Sequence, residues 1–362
     1  MKKTALLLLI LISVVLLTAP AITGLVIRAA DADMLLAPLT AQTQAKFTRR
    51  SVSPGWFQTR MHFDIEHPQL QNFLPDSSHY QLHVLIKHGP VFFTRQGLLT
   101  GLAYAELIPE LSGPIALRLS TMPAINQFQD IELSVMADFR QNWQIDLFAE
   151  SLQFRYQQQS VSISELEGKL KISRHNDALT GRSYDLQQTL SVSAITSQAP
   201  VDAFESFIEI KGLSHELVSL YAGLLANPPG SSAAEQLLME VGDQSTLLIL
   251  QNPLQIAAEI GISSFGGEHD GNLAILWPGL PGLRHLDDFQ LPDAIRMLQI
   301  DLHLVADEAA LHRSPLSQAL TAYQQQKLVQ SSNGQATVTA ALNAGTLTIN
   351  EQTLSLEPFL SF

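Results

Sequence analysis

The chain has 362 residues, enough for one large domain or two smaller ones and for a sizeable buried core. Hydrophobic residues make up 46% and charged residues 15%, which excludes disorder driven by charge repulsion. With 34 acidic and 21 basic residues the net charge is -13, which repels the phosphate backbone and argues against a nucleic-acid partner. The absence of cysteine removes disulfides, thiolate nucleophiles, zinc-thiolate sites and iron-sulfur clusters.

The first predicted element is a membrane anchor over residues 1–28. An uncharged run from Thr4 to Ile27 follows Lys2 and Lys3, and as a helix it would span roughly 36 Å, more than the hydrocarbon core of a bilayer. The positive-inside rule keeps both lysines cytoplasmic and places the rest of the chain across the membrane, which is the periplasm if the source is a Gram-negative bacterium. The alternative is a signal peptide cleaved at Ala19-Pro20-Ala21. The proline, and the apolar residues that follow it, favour an uncleaved anchor.

Residues 29–50 are predicted to be a juxtamembrane segment, with a short helix interrupted at Pro38. A β-rich periplasmic domain is predicted over 51–211, because apolar and polar residues alternate there with a period of two, as in Arg60–Glu66. Strands that alternate in this way are typical of antiparallel sheets with one solvated face. The further predicted strands are Tyr80–Ile86, Ile131–Val135, Asp146–Tyr156, Val161–Ser173, Leu186–Ile195 and Phe204–Lys211.

An α+β domain is predicted over 212–362. Helical spacing appears from Leu213 to Leu224 and again after Ser232, a plausible N-cap. The remaining predicted elements are strands at Leu254–Ile262, Asn272–Trp277 and Ile300–Leu304, a turn over Gly266–Gly271, a helix at Ser314–Gln326, and a hairpin of Ala336–Leu342 with Thr346–Ile349. The predicted fold class is therefore α+β and mostly antiparallel β. It is an extended or curved sheet with a few packing helices in the C-terminal half, behind an N-terminal transmembrane helix.

Two short motifs are candidate contact sites. In His88-Gly89-Pro90 the glycine permits unusual backbone angles and the proline restricts the next one, which would hold the imidazole at a strand end as a partner or ligand contact. The alternative is a sharp strand exit whose histidine packs or hydrogen-bonds locally. Trp56 and Phe57 follow a Pro54-Gly55 turn and form either an exposed aromatic anchor for lipid or protein, or a cap on the apolar face of the sheet.

A metal site is considered on one strand face and is not favoured. His62, Asp64, Glu66 and His83 share polar strand positions, and imidazole and carboxylate groups can bind metal ions. Alternate residues of a strand lie about 6.6 Å apart, so one strand rarely surrounds an ion, and a solvated polar face is the simpler interpretation. We therefore predict no catalytic residue, cofactor or metal ligand.

Several landmarks together resemble the YdgA-like family of bacterial envelope proteins. They are Gly55-Trp56-Phe57-Gln58-Thr59 before a strand, His88-Gly89-Pro90 at a strand end, Asn343 to Asn350, and Leu354-Ser355-Leu356-Glu357, all behind the apolar N-terminus. The resemblance implies an inner-membrane-anchored periplasmic protein whose function is unknown. Ala344 and Glu351 depart from the more usual Asn-Gly pairs of the C-terminal hairpin, and the chain is shorter than typical members near its last strands.

The leading functional hypothesis is a non-catalytic envelope module, tethered at the inner membrane, that binds lipid or an envelope protein. One-sided strands need a cover for their apolar face, which helices, a partner or acyl chains can supply. One alternative is a periplasmic hydrolase assembled from scattered histidines and carboxylates. Another is an envelope assembly factor that forms homo-oligomers through sheet edges.

Overall fold

A computed structural model of the chain describes residues 46–55, 57–66, 80–88, 91–94, 97–110, 125–140, 142–156, 159–177, 181–197, 200–225 and 232–356. The predicted anchor over 1–28, the juxtamembrane residues before 46, and Trp56, Gly89 and Pro90 lie outside these ranges. No helix within the described residues is long and apolar enough to cross a membrane. The described chain forms two compact units.

The first, unit 1, takes its residues from Met1–Met122, Asp130–Phe148 and Ala222–Gln236. Its sheet has the order β1-β2-β3-β6-β7, and each of these pairings is antiparallel. A separate two-stranded hairpin, β4 with β5, lies between β3 and β6 along the chain. The strands are β1 (Lys46–Pro54), β2 (Gln58–Glu66), β3 (Tyr80–His88), β4 (Val91–Thr94), β5 (Gly97–Thr100), β6 (Ala103–Glu110) and β7 (Ile125–Ala137).

The second, unit 2, takes its residues from Pro123–Gln129, Ala149–Tyr221 and Leu237–Phe362, so that β7 and β8 (Trp143–Tyr156) each contribute to both units. Its strands follow the order β9-β10-β11-β12-β13-β14-β16-β17-β18, and β15 pairs with β16. The strands are β9 (Gln159–Asp177), β10 (Gly181–Thr196), β11 (Val201–Ser214), β12 (Leu254–Ser264), β13 (Gly267–Trp277), β14 (Gln299–Asp307), β15 (Gln330–Ser332), β16 (Gln335–Asn343), β17 (Thr346–Ile349) and β18 (Gln352–Ser355).

Helices occur in the C-terminal part of the described chain. They are α1 (His215–Leu225), α2 (Ser232–Gln251), α3 (Leu291–Met297), α4 (Glu308–Arg313) and α5 (Ser317–Gln325), with a 3-10 turn at Leu286–Asp288. The first two begin close to the positions predicted from the sequence. The prediction of a mostly antiparallel sheet with a few helices is therefore confirmed, while the predicted domain boundaries stay a prediction.

Two local features differ from the predictions. The helix predicted over Ser314–Gln326 is confirmed as α5, but α4 before it was not predicted: the Asp307 carboxylate accepts a hydrogen bond from the backbone N–H of Ala310 and starts α4, and Pro315 separates α4 from α5. The turn predicted over Gly266–Gly271 is shorter. Phe265 and Gly266 both have positive φ, so two residues suffice to reverse the chain and β13 starts at Gly267.

The core of unit 1 lies on one face of its sheet. Met61 and Phe63 from β2 pack with Leu82, Val84 and Ile86 from β3, and all five side chains are buried. These are the apolar members of the alternating patterns in the sequence, and each is paired with a polar neighbour along the strand that points to the other face. The alternation therefore predicted both the strands and the buried side.

Candidate functional site

One end of the unit 1 sheet carries a group of exposed apolar side chains, which we call the apolar end. Antiparallel register brings together the start of β2, the end of β3, the start of β6 and the end of β7, with the β4–β5 hairpin beside them. The exposed fraction of the side chains ranges from 46% to 79%. The apolar end consists of Phe57, Phe93, Leu98, Leu102, Phe139 and Trp143.

The candidate residue His88 lies at this end but is buried. Its Nε2 is 3.0 Å from Oγ1 of Thr59, its backbone N–H donates to the Phe57 carbonyl, and it is only 2% exposed. This arrangement matches the local alternative considered for the histidine, in which it packs and hydrogen-bonds at a strand exit. Phe57 is 56% exposed, so of the described candidates it is the one that a partner can reach.

The β4–β5 hairpin has one buried face and one face that is exposed to solvent. Phe92 is 1% exposed and stacks on Tyr104 with ring centroids 5.7 Å apart. On the other face Phe93 and Leu98 are paired across the strands and are 79% and 61% exposed. Sequence reasoning did not single out these two residues. The feature of the sequence that could have identified them is the pair of short apolar runs on either side of residues 95 and 96.

Lys87 ties the hairpin to the sheet. Its ammonium group donates to the Phe93 carbonyl at 2.7 Å, forms an ion pair with Glu106, and lies 5.0 Å from the ring centroid of Tyr104. Burial is the largest cause that raises the pKa of Tyr104 to about 12, and Glu106 and Glu132 also raise it by repelling the phenolate. Tyr104 is therefore a neutral, packed part of the hairpin's support.

The β7–β8 turn exposes the ring of Phe139, whereas the carboxylate of the neighbouring Asp138 is engaged in hydrogen bonds within the turn. The Asp138 side chain accepts hydrogen bonds from the backbone N–H groups of Arg140 and Asn142 and from the Asn142 amide. Burial alone would raise the pKa of Asp138, but the hydrogen bonds from Asn142 and Arg140 outweigh it and hold the pKa below its usual value. The turn is thereby closed in one conformation, with the ring of Phe139 57% exposed.

The histidines considered as metal ligands are neighbours on the polar face of unit 1. His62 and His83 are directly paired across β2 and β3, and their rings meet edge to face with centroids 4.3 Å apart. Asp64, two residues from His62, forms an ion pair with Arg50. Within the described residues no three His, Asp or Glu side chains lie close enough together to hold a metal ion.

Unit 2 has a second notable surface, an apolar face that crosses seven strands from β10 to β17. Paired residues of an antiparallel sheet point to the same side, so the registers define rows of side chains that run across the strands. Four adjacent rows contain no Asp, Glu, Lys or Arg. The rows are Leu186-Ile210-Ile256-Ile275-Ile300-Leu342-Leu347; Gln188-Ile208-Ala258-Leu273-Leu302-Ala340-Ile349; Leu190-Ser206-Ile260-Gly271-Leu304-Val338; and Val192-Phe204-Ile262-His269-Ala306-Ala336.

The apolar face is covered at both ends of β13. At one end Trp277 is 7% exposed and its indole N–H donates to the backbone carbonyls of Ile249 and Leu250 at the end of α2. At the other end α4 lies against Gly267, where an added Cβ would meet the Cβ of Ala310 at 2.5 Å. Helices therefore close the two borders of the face.

The middle of the face is open to solvent. Ile260 and Leu304 lie on central strands and are each 39% exposed. Gly271 sits between them, because a Cβ there would meet Leu304 Cδ2 at 2.7 Å and Ile260 Cγ2 at 2.9 Å. At about 4.8 Å between strands, the rows span roughly 25–30 Å. The result is a long apolar strip bordered by helices.

The opposite face of the same strands is acidic and polar. Glu205, Glu259, Asp270 and His303 are exposed there, each next in sequence to a residue of the apolar rows. A cavity of about 640 Å³ is lined by residues of β10 to β13 from both faces, among them these three carboxylates and, from the apolar rows, Leu190, Ser206, Ile260 and Gly271. The two faces of the sheet thus differ in polarity. Neighbouring residues of one strand point to opposite faces, so a substitution on one face can be compared with the same substitution on the other.

Imidazole–carboxylate pairs also occur at the surface of unit 2. His175 Nε2 lies 3.0 Å from Asp185 Oδ2, and the His175 side chain is 55% exposed. His312 Nε2 lies 3.9 Å from Glu308 Oε1 in α4. Neither pair lines the cavity of about 640 Å³. The hydrolase alternative stays a prediction.

Comparison with known proteins identifies a family for the first part of the chain. A family model described as a bacterial protein of unknown function (DUF945) matches residues 1–218. Neither the curated proteins nor the solved structures contain a significant match. The matched region includes the apolar end of unit 1 and the strands β9 and β10 of unit 2.

Proposed function

We propose that this chain, which belongs to the DUF945 family of bacterial proteins of unknown function, is a non-catalytic lipid-binding module of the cell envelope. The observation that carries the proposal is the apolar face of unit 2. Its middle row leaves Ile260 and Leu304 39% exposed although both lie on central strands of the sheet. Exposed apolar area on a sheet face supports the proposal, because such patches mark interaction sites and ligand-binding grooves.

The ligand that fits the face best is a lipid acyl chain. The four rows carry no charged side chain, and their few polar groups, Gln188, Ser206 and His269, are separated from one another by apolar residues. A protein partner of standard size usually makes about ten hydrogen bonds, for which this face has few groups. An acyl chain needs none, and each buried methylene contributes about 0.8 kcal/mol.

The dimensions are also suitable for an acyl chain. One leaflet of a bilayer contributes about half of a 30 Å hydrocarbon core, so an acyl chain is roughly 15 Å long. The strip across β10 to β17 is longer than this, roughly 25–30 Å. Helices α2 and α4 border it, so a chain lying along the rows would contact side walls as well as the sheet.

Location forms the second part of the proposal. We propose that residues 1–28 anchor the protein in the inner membrane by a single span, with Lys2 and Lys3 in the cytoplasm and the bulk of the chain in the periplasm, as the YdgA-like resemblance implies. The uncharged run from Thr4 to Ile27 supports the span, and Lys2 and Lys3 before it support this orientation. Retention in the membrane after a high-salt wash, with Met1 or Lys2 still present, is expected. Release with a new N-terminus near Ile22 would overturn the anchor.

Lipid binding is tested by displacement of a fluorescent fatty acid from the purified full-length chain. Leu304→Gln places an amide in the middle of the apolar face, and His303→Gln places the same group on the opposite face of the same strand. We expect Leu304→Gln to weaken binding of the fatty acid roughly tenfold or more and His303→Gln to leave it unchanged. Equal effects of the two substitutions, or no saturable binding by the unaltered chain, would reject the acyl-chain proposal.

A further inference from the structure

We infer that the apolar end of unit 1 docks onto the surface of a lipid bilayer. The inference concerns a different surface from the acyl-binding face, and it rests on the proposed membrane location. The six residues of the apolar end come from four separate chain segments, and the register of the strands brings these segments to the same end of the sheet. A position shared by so many exposed apolar side chains indicates an interaction surface.

The shape of the apolar end favours a fluid partner over a folded one. Phe93 is 79% exposed and Leu98 61% exposed, so these side chains protrude and touch few neighbours. A folded protein that received them would need a matching pocket, whereas the acyl region of a bilayer requires no preformed shape. Phe57, Phe139 and Trp143 add aromatic rings of the kind enriched at membrane interfaces.

Charge also favours a bilayer. The whole chain has a net charge of -13, which an anionic lipid surface would repel. Within the described residues of the apolar end (57–59, 87–88, 91–94, 97–102, 137–140 and 142–143), the acidic and basic side chains are those of Lys87, Asp138 and Arg140, and Lys87 is ion-paired with Glu106. The Asp138 carboxylate is occupied by hydrogen bonds within its own turn. This end of unit 1 therefore approaches lipid without the repulsion expected for the rest of the molecule.

The hairpin is built to hold its apolar side chains outward. A two-stranded hairpin alone is marginally stable in water, but Phe92 stacks on Tyr104 beneath it and Lys87 holds the Phe93 carbonyl. The hairpin backbone that carries Phe93 is therefore held against the sheet. Because these contacts already order the hairpin, its binding to the membrane does not carry the entropic cost of ordering it.

The chain between the proposed anchor and β1 is long enough for the anchor and the apolar end to reach the same bilayer. Lys46 pairs with Glu66, at the opposite end of the sheet from Phe57, so the chain must run back from the bilayer along the length of β1. That distance is about 30 Å for nine residues. Residues 28–45 can span at most roughly 60 Å when fully extended. The proposed anchor and the apolar end can therefore meet the same bilayer.

Site-directed spin labelling tests the docking directly, because the chain has no native cysteine to remove. The full-length chain carrying Leu98→Cys, or separately Phe93→Cys, is labelled with a nitroxide and reconstituted into vesicles of phosphatidylethanolamine and phosphatidylglycerol. The matched control is Thr48→Cys, an exposed position of β1 near the other end of the sheet. Collision rates with oxygen and with a water-soluble nickel chelate report the depth of each label.

The expected result is a label at positions 98 and 93 that lies about 5–10 Å below the headgroups, with the label at position 48 in water. Labels at 98 and 93 that collide freely with the nickel chelate while the protein stays in the vesicles would overturn the docking and leave the anchor intact. Labels shielded from both reagents would indicate a protein contact and would also overturn it. A chain that does not sediment with the vesicles would contradict the anchor and the docking together.

Discussion

Thr59 and His88 are joined by a buried hydrogen bond between Oγ1 and Nε2, 3.0 Å long, which ties the first strand residues of β2 to the last residue of β3. Thr59 is fully buried and His88 is 2% exposed. The backbone N–H of His88 also donates to the Phe57 carbonyl. The Thr59–His88 bond therefore lies at the same end of unit 1 that carries the exposed apolar side chains, and it holds the histidine in a buried position.

Thr59→Val is expected to destabilise the protein by about 1–3 kcal/mol, because it keeps the shape of the side chain and removes the hydroxyl that His88 contacts in a buried site. Urea unfolding of the full-length chain measures the loss. Thr100→Val removes an exposed hydroxyl and serves as the control, with little expected change. Identical unfolding midpoints for Thr59→Val and the unaltered chain would show that the bond contributes nothing to stability.

Tyr104 should make stability fall at high pH. Its pKa is about 12 in the folded chain against a usual value of 10.0, so between these values the unfolded state loses a proton that the folded state keeps. The stabilisation is complete below pH 10 and is lost as the pH rises towards 12, at about 1.4 kcal/mol per pH unit. Urea unfolding at pH 9 and pH 11.5 should show a larger loss for the unaltered chain than for Tyr104→Phe. Equal losses would refute the assignment of this effect to Tyr104.

Lys87→Met should loosen the β4–β5 hairpin, because it removes the hydrogen bond to the Phe93 carbonyl and the ion pair with Glu106 while keeping most of the side-chain volume. Hydrogen exchange should become faster at the amides of Val91–Thr100 and stay unchanged in the β9–β10 pair of unit 2. Lys171→Met, on exposed β9, is the matched control. Faster exchange throughout unit 1 would instead indicate a global loss of stability.

Gly279→Ala is expected to be destabilising by more than 1 kcal/mol. Gly279 has a φ of 81°, and an added Cβ would lie 2.8 Å from both the Gln251 carbonyl oxygen and the Asn252 carbonyl carbon, which are backbone atoms that cannot move aside easily. Gly242→Ala in α2 is the control, because nothing lies within 4 Å of its Cβ position and alanine favours a helix. Thermal unfolding should shift downward for the first substitution and upward for the second.

Much of the sheet could be predicted from periodicity alone. The alternation in Arg60–Glu66 and Tyr80–Ile86 located β2 and β3 and identified Met61, Phe63, Leu82, Val84 and Ile86 as one apolar side, which is the core of unit 1. The prediction was weaker where local chemistry decides the outcome. Pro315 and the Asp307 cap placed the helix ends of α4 and α5, and two residues with positive φ shortened the β12–β13 turn.

The candidate surfaces depended more on tertiary structure. The sequence determined that Phe57 and His88 lie at strand ends, but not that His88 would be buried against Thr59 while Phe57 stayed exposed. Phe93 and Leu98 carry no signal of exposure, since short apolar runs occur in cores and on surfaces alike. Only the pairing of β4 with β5, with Phe92 turned inward, decided that they face outward.

The same division holds for the apolar face of unit 2. The sequence by itself determined the apolar positions of each strand, because side chains of a strand alternate between two faces whatever the partner strands are. Strand order and register decided that Leu190, Ile260 and Leu304 fall in one row, and the positions of α2 and α4 decided that this row stays open between two covered borders. Periodicity is a property of each segment, whereas exposure depends on what packs above it.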